Sequence, residues 1–134
     1  MKTKFAVIIE KGKKNYTAYV PELYGCTAKA NHLTGLLSRT KNAIRRYQKT
    51  EEDLSADFVG AYIVSFKKRK FCVAIKKGKD GYYFASAPSL PGCFTQARTL
   101  NKLMGYIKEV LSLCLYDAKN FKGDDFIGIQ IVEV

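Results

Sequence analysis

The chain has 134 residues, 47% of them hydrophobic, with nine Tyr and eight Phe and a formal charge of +11. That apolar and aromatic content excludes a disordered chain, and the length holds one ordinary domain or two very small ones. No apolar run approaches the roughly 18 residues that span a membrane, and FAVII (5–9) is too short for a signal-peptide core, so the expectation is a cytoplasmic protein away from membranes.

In chain order, Phe5–Glu10 alternates, with Phe5, Val7 and Ile9 on one face, which predicts a strand. EKGKKN is a glycine-containing turn, and Tyr16–Val20 is the return strand of a hairpin. Pro21 ends it, because proline has no N–H for the ladder. Gly25–Ala30 reads as a short third strand. Leu33, Leu36, Leu37, Thr40, Ile44 and Tyr47 then recur at helical spacing, the core stripe of an amphipathic helix. FVGAYIVSF (58–66) reads as a closing strand, and KKRK (67–70) as a joint.

The chain then starts again. KFCVAIKKGKDGYYFASAPSLPGC repeats KFAVIIEKGKKNYTAYVPELYGC with one residue inserted in the turn. Identities such as Phe5/Phe71, Val7/Val73, Tyr16/Tyr83, Pro21/Pro88, Leu23/Leu90, Gly25/Gly92, Cys26/Cys93 and Lys41/Lys108 run in order along the whole unit. Thr99 is placed to cap a second helix with the stripe Leu100, Leu103, Met104, Ile107, Leu111 and Cys114, and FIGIQIVEV (126–134) answers FVGAYIVSF. The expectation is an α+β fold of two tandem βββαβ units, residues 1–66 and 67–134. Each is an antiparallel sheet with one helix on one face, and the two pack as a pseudo-dimer. The second helix is apolar nearly all round, through Val110, Leu111, Leu113, Cys114, Leu115 and Tyr116, which predicts that copy one or another chain covers it.

The second copy resembles the HicB-like antitoxin family through Val73 and Ile75, Gly81-Tyr82-Tyr83, Pro88-Ser89-Leu90-Pro91-Gly92-Cys93 and Thr99-Leu100. The first copy keeps Tyr16, Pro21, Leu23, Gly25, Cys26 and Leu33, with Tyr24 and His32 replacing the second Pro and the Thr. The resemblance implies a partial RNase H-like βββαβ domain without catalytic carboxylates. It implies a non-enzymatic binding protein, antitoxin-like or regulatory, that self-associates and engages a toxin-like protein partner. In that family a separate DNA-binding domain often follows; here the second copy takes its place. A basic toxin calls for an acidic partner, whereas both copies here are basic, with 11 Lys+Arg against 6 Asp+Glu in residues 1–66 and 12 against 6 in 67–134.

Chemistry-bearing residues are sparse. His32 is the single histidine and lacks a positioned partner in sequence, and the carboxylates Glu51, Glu52, Asp53, Asp124 and Asp125 fall in loops. No catalytic residue, metal or cofactor is expected. The four cysteines (26, 72, 93, 114) lack zinc spacing and read as small core residues. The minority alternative is an approach of the equivalent Cys26 and Cys93. Basic clusters are what remain. Lys11, Lys13, Lys14 and Lys76, Lys77, Lys79 sit at the two hairpin tips, and Lys67, Lys68, Arg69 and Lys70 form the joint. With Tyr16, Tyr19, Tyr82 and Tyr83 nearby, they fit a nucleic-acid footprint. Arg39, Arg45 and Arg46 on the first helix are the candidate partner-binding face.

Overall fold

The computed structural model describes residues 3–48, 56–66, 68–90, 92–115 and 125–134. The elements run β1 (Lys4–Lys11), β2 (Tyr16–Tyr19), β3 (Thr27–Ala30), α1 (Leu33–Arg46), β4 (Ala56–Phe66), β5 (Arg69–Gly78), β6 (Tyr83–Ser86), β7 (Phe94–Ala97), α2 (Leu100–Cys114) and β8 (Asp125–Glu133). The predicted strands and helices are all present, in the predicted order. They build two four-stranded antiparallel sheets, β3-β2-β1-β8 and β4-β5-β6-β7.

The sheet orders redraw the units. The sequence duplication divides the chain at residue 66, but the compact units are Met1–Leu54 with Asp124–Val134, and Ser55–Gly123. Each closing strand has changed sheets. β8, from the second copy, pairs with β1 from Lys4↔Glu133 to Lys11↔Asp125. β4, from the first copy, pairs with β5 from Ala56↔Gly78 to Phe66↔Arg69. The described residues of KKRK, Lys68, Arg69 and Lys70, therefore belong to a β4–β5 hairpin inside the second unit and not to a joint between two. Phe66 and Arg69 face each other across the hairpin, and Lys68 turns the chain with φ 66. The long hairpin explains the exchange: 11-residue β4 is followed at once by 10-residue β5, and strands joined by so short a link pair antiparallel with each other.

Each unit buries one sheet face under its helix. In the first, Val7, Ala18, Val20, Ala30 and Val132 meet Leu36 and Ile44 of α1. In the second, Val64, Phe71, Val73, Ile75 and Ala85 meet Leu103, Ile107 and Leu111 of α2. Thr40, inside the α1 stripe, is buried because its hydroxyl donates to the Leu36 carbonyl at 2.7 Å. Among the described residues of this chain, the second helix is not covered all round. Leu113 is 75% exposed, and Met104 and Tyr106 are exposed as well. Tyr116 lies outside the described residues.

The repeated P-x-L-x-G-C stretch is architecture. In the first unit, Leu23 N–H donates to the Val20 carbonyl, Cys26 N–H to Leu23 and Val20 N–H to Cys26, at 3.0 Å each. Ala87, Leu90 and Cys93 repeat the same three bonds. Gly25 (φ 75) and Gly92 (φ 81) supply the left-handed residue that closes the turn, while Leu23, Leu90, Cys26 and Cys93 point into the cores.

Candidate functional site

The predicted basic residues divide by position. Lys11 ends β1 and its ammonium lies 5.6 Å from the Tyr16 ring centre; Lys77, in β5, lies 5.4 Å from the Tyr83 ring. These pairs are repeat-equivalent, so both hairpin tips carry the same cation-on-aromatic contact. Lys13, Lys14 and Lys79 are exposed in the adjoining turns. Lys76 is not at a tip. It is half-buried in β5, on the face opposite Lys77 and in register with Phe84. Lys68 and Lys70 are exposed, and Arg69 sits over the Phe71 ring at 5.8 Å. Lys67 lies outside the described residues.

A further tip residue is Arg98. Its Nε donates to the Tyr82 hydroxyl at 3.0 Å and its guanidinium lies 5.3 Å from the same ring. That hydrogen bond raises the arginine pKa above its already high ordinary value, so the charge is permanent. Sequence reasoning missed Arg98 because it lies after β7, 16 residues from Tyr82, and only the β6–β7 pairing joins them.

On α1, Arg39 is committed locally, its Nη1 donating to the Lys29 carbonyl at 2.7 Å. Arg45 donates to the Asn42 side chain at 3.2 Å and Arg46 to the Asn42 carbonyl at 3.4 Å, both exposed at the last turn. The three arginines thus share a helix, but Arg39 is held toward β3. His32 starts α1 without a side-chain cap bond. Of the loop carboxylates, Asp125 is exposed at the start of β8; Glu51, Glu52, Asp53 and Asp124 lie outside the described residues. Among the described residues no His, Cys, Asp and Glu cluster in a metal-holding group.

Cysteine chemistry differs from expectation. The sulfurs of Cys93 and Cys114 are joined in a disulfide, with Cα atoms 6.0 Å apart. It ties the P-x-L-x-G-C turn to the last turn of α2, so neither is simply a core thiol, and the partner of Cys93 is not Cys26. Cys26 and Cys72 are buried outside the disulfide. In the first unit Tyr47 occupies the position of Cys114, and its hydroxyl donates to the Tyr24 carbonyl at 2.8 Å. Both units therefore tie the helix end to the same turn, by different chemistry.

A groove of about 460 Å³ runs between α1 and the free edge of β8, lined by Lys4, Leu37, Lys41, Gln130, Ile131, Val132 and Glu133. No pattern in one copy alone points to it, because Lys4 and Lys41 come from the first copy and residues 130–133 from the second.

A UPF0150 protein of Archaeoglobus fulgidus is 51% identical over 65 residues, which are 48% of this chain and 94% of the relative. The chain belongs to the UPF0150 family. A UPF0150 protein of Synechocystis is 40% identical over 67 residues, 50% of this chain and 97% of that one. A third, from Thermoplasma acidophilum, is 48% identical over 42 residues, 31% of this chain and 61% of its own. The family designation names no activity. No protein-family profile matches the chain, and no solved structure matches it. The first two UPF0150 relatives are matched over nearly their full length by about half of this chain. Among the described residues no helix is long and apolar enough to cross a membrane.

Proposed function

We propose that this UPF0150 protein is a HicB-like, non-enzymatic binding protein that acts as an antitoxin-like or regulatory partner of another macromolecule. The observation that carries the reading is the fate of the repeated P-x-L-x-G-C motif. Its Leu and Cys side chains are spent on the core and its backbone on turn bonds, leaving it no reactive group to offer a substrate. What faces solvent instead is charge and exposed apolar strand surface, the materials of recognition. With both copies basic, the favoured protein partner is acidic.

A second reading has its own support. The matched cation–tyrosine pairs at the two hairpin tips, with Arg98 and Lys68 also exposed, suit a nucleic acid whose phosphates meet lysines and whose bases stack on rings. Titration against mixed-sequence RNA and DNA at roughly 50 and 200 mM salt separates the two. The partner-binding reading expects weak binding even at the lower salt. Tight binding that collapses by orders of magnitude across that range, and that Lys11→Ala with Lys77→Ala removes, would put the nucleic-acid reading first.

A further inference from the structure

The outer edges of the two sheets include β8 and β4, nine and eleven residues long. Edge strands are ordinarily short or guarded by charge, because their open N–H and C=O groups invite another strand. These two are long, and their charges are confined to Asp57 near the start of β4 and to Asp125 and Glu133 at the two ends of β8. β8 presents Ile127, Ile129 and Ile131 to solvent, Ile131 at 61% exposure, and β4 presents Val59, Tyr62 and Ile63. Beside β8 lies the groove to α1, lined by Leu37, Ile131 and Val132, by Gln130, and by Lys4 and Lys41 against the single carboxylate Glu133, so its charge is net positive.

The two copies have diverged at most positions, and of the seven groove residues Gln130 and Glu133 are replaced by Tyr62 and Ser65, yet the other five recur or are conservatively exchanged. Lys4, Lys41, Ile131 and Val132 correspond to Lys70, Lys108, Ile63 and Val64, and Leu37 to Met104. In the second unit α2 flanks β4 as α1 flanks β8, with Ile63 and Met104 exposed and Val64 buried. Val64 and Val132 are core residues, which explains their retention. The core does not explain the two lysines or the exposed isoleucines.

We propose that the groove between α1 and the β8 edge is a docking site for an extended acidic–apolar peptide segment of another protein. The segment adds to the sheet as a fifth strand. Its backbone takes the open edge groups, its apolar side chains cover the isoleucines, and its carboxylates face the rim lysines. The proposal rests on the partner-binding reading above and specifies the partner's chemistry. A second copy of this chain is disfavoured by the repulsion of two +11 chains, although its own β8 carries Asp125 and Glu133, and the oligomeric state separates it from a foreign segment.

The test uses the full chain and a labelled nonapeptide alternating Glu and Val, with a Lys/Val peptide as the mismatched probe. Fluorescence anisotropy should show saturable binding of the acidic peptide and not of the basic one. Lys4→Glu with Lys41→Glu should weaken it roughly tenfold for β8 docking, the scale of reversing two rim charges. Ile131→Lys should weaken it as well, and because that side chain is exposed the fold survives the change. Amides of β8 should slow in hydrogen exchange when the peptide is bound. Absence of binding up to about 1 mM peptide overturns the proposal. So does binding indifferent to the groove variants but lost in Arg45→Glu with Arg46→Glu, an outcome that leaves the partner-binding reading standing on the helix face. A dimer on light scattering that Ile131→Lys dissociates would make a second copy the occupant and overturn it too.

Discussion

Three residues beyond each helix's last buried core residue, the two copies solve one problem with different atoms. The helix end must be held against the P-x-L-x-G-C turn, and the first unit uses the Tyr47 hydroxyl on the Tyr24 carbonyl while the second uses Cys93–Cys114. A neutral hydrogen bond at a half-exposed site contributes about 1 kcal/mol. A disulfide closing a loop of 21 residues removes unfolded-state freedom equivalent to about 3 kcal/mol. The second unit should therefore be the one that responds to reductant. Adding dithiothreitol, or making Cys114→Ser, should lower the stability of the second unit by about 2–4 kcal/mol and leave the first unchanged. Hydrogen exchange of α1 and α2 amides checks this separately for each helix, and mass spectrometry of the alkylated protein should show two cysteines blocked before reduction and four after. Equal weakening of both helices would mean that the bridge does not act locally.

At the scale of the element, helix starts give a comparison inside one chain. Thr99 and His32 occupy equivalent cap positions with nearly the same backbone angles, φ −128 and −133. The Thr99 hydroxyl accepts from Lys102 N–H at 3.2 Å, whereas His32 makes no cap bond. Thr99→Ala should cost about 1 kcal/mol, His32→Ala almost nothing, and His32→Ser should stabilise α1 by a similar amount, all read by urea denaturation. The elements themselves were legible from periodicity. The alternation of Phe5, Val7 and Ile9 and the stripe Leu36, Thr40, Ile44 each gave the correct face, and Thr99 announced its cap. The apolar girdle of α2 does not say what covers it; within this chain Leu113 is open to solvent, which leaves another chain as the cover the sequence allowed. Lys76 misled because it follows the strand's alternation and not the cluster in which the sequence writes it. The Arg98–Tyr82 pair and the β8 groove are long-range products of strand pairing, and no local pattern encodes them.

At the scale of the whole molecule, the duplication and the fold disagree about where a unit ends. Repetition in sequence records how the gene grew; strand pairing records which surfaces meet. Two one-unit chains that traded closing strands, then became joined through the shortest available link, would give this topology, with KKRK as the link and β4–β5 as the resulting hairpin. The exchange is testable because each closing strand carries one core valine. Val132 is buried against Val7, Leu36 and Ile44 of the first unit, though it belongs by sequence to the second copy. Val64 is buried against Phe71, Leu103 and Ile107 of the second unit, though it belongs to the first. Truncating a buried valine to alanine costs about 1–3 kcal/mol, and the loss is felt by the unit whose core it leaves. Val132→Ala should accelerate hydrogen exchange in β1 and α1 while β5 and α2 hold their protection. Val64→Ala should do the reverse. Contiguous units divided at residue 66 require the opposite pattern for both variants, so one pair of exchange experiments decides between the history of the chain and its architecture.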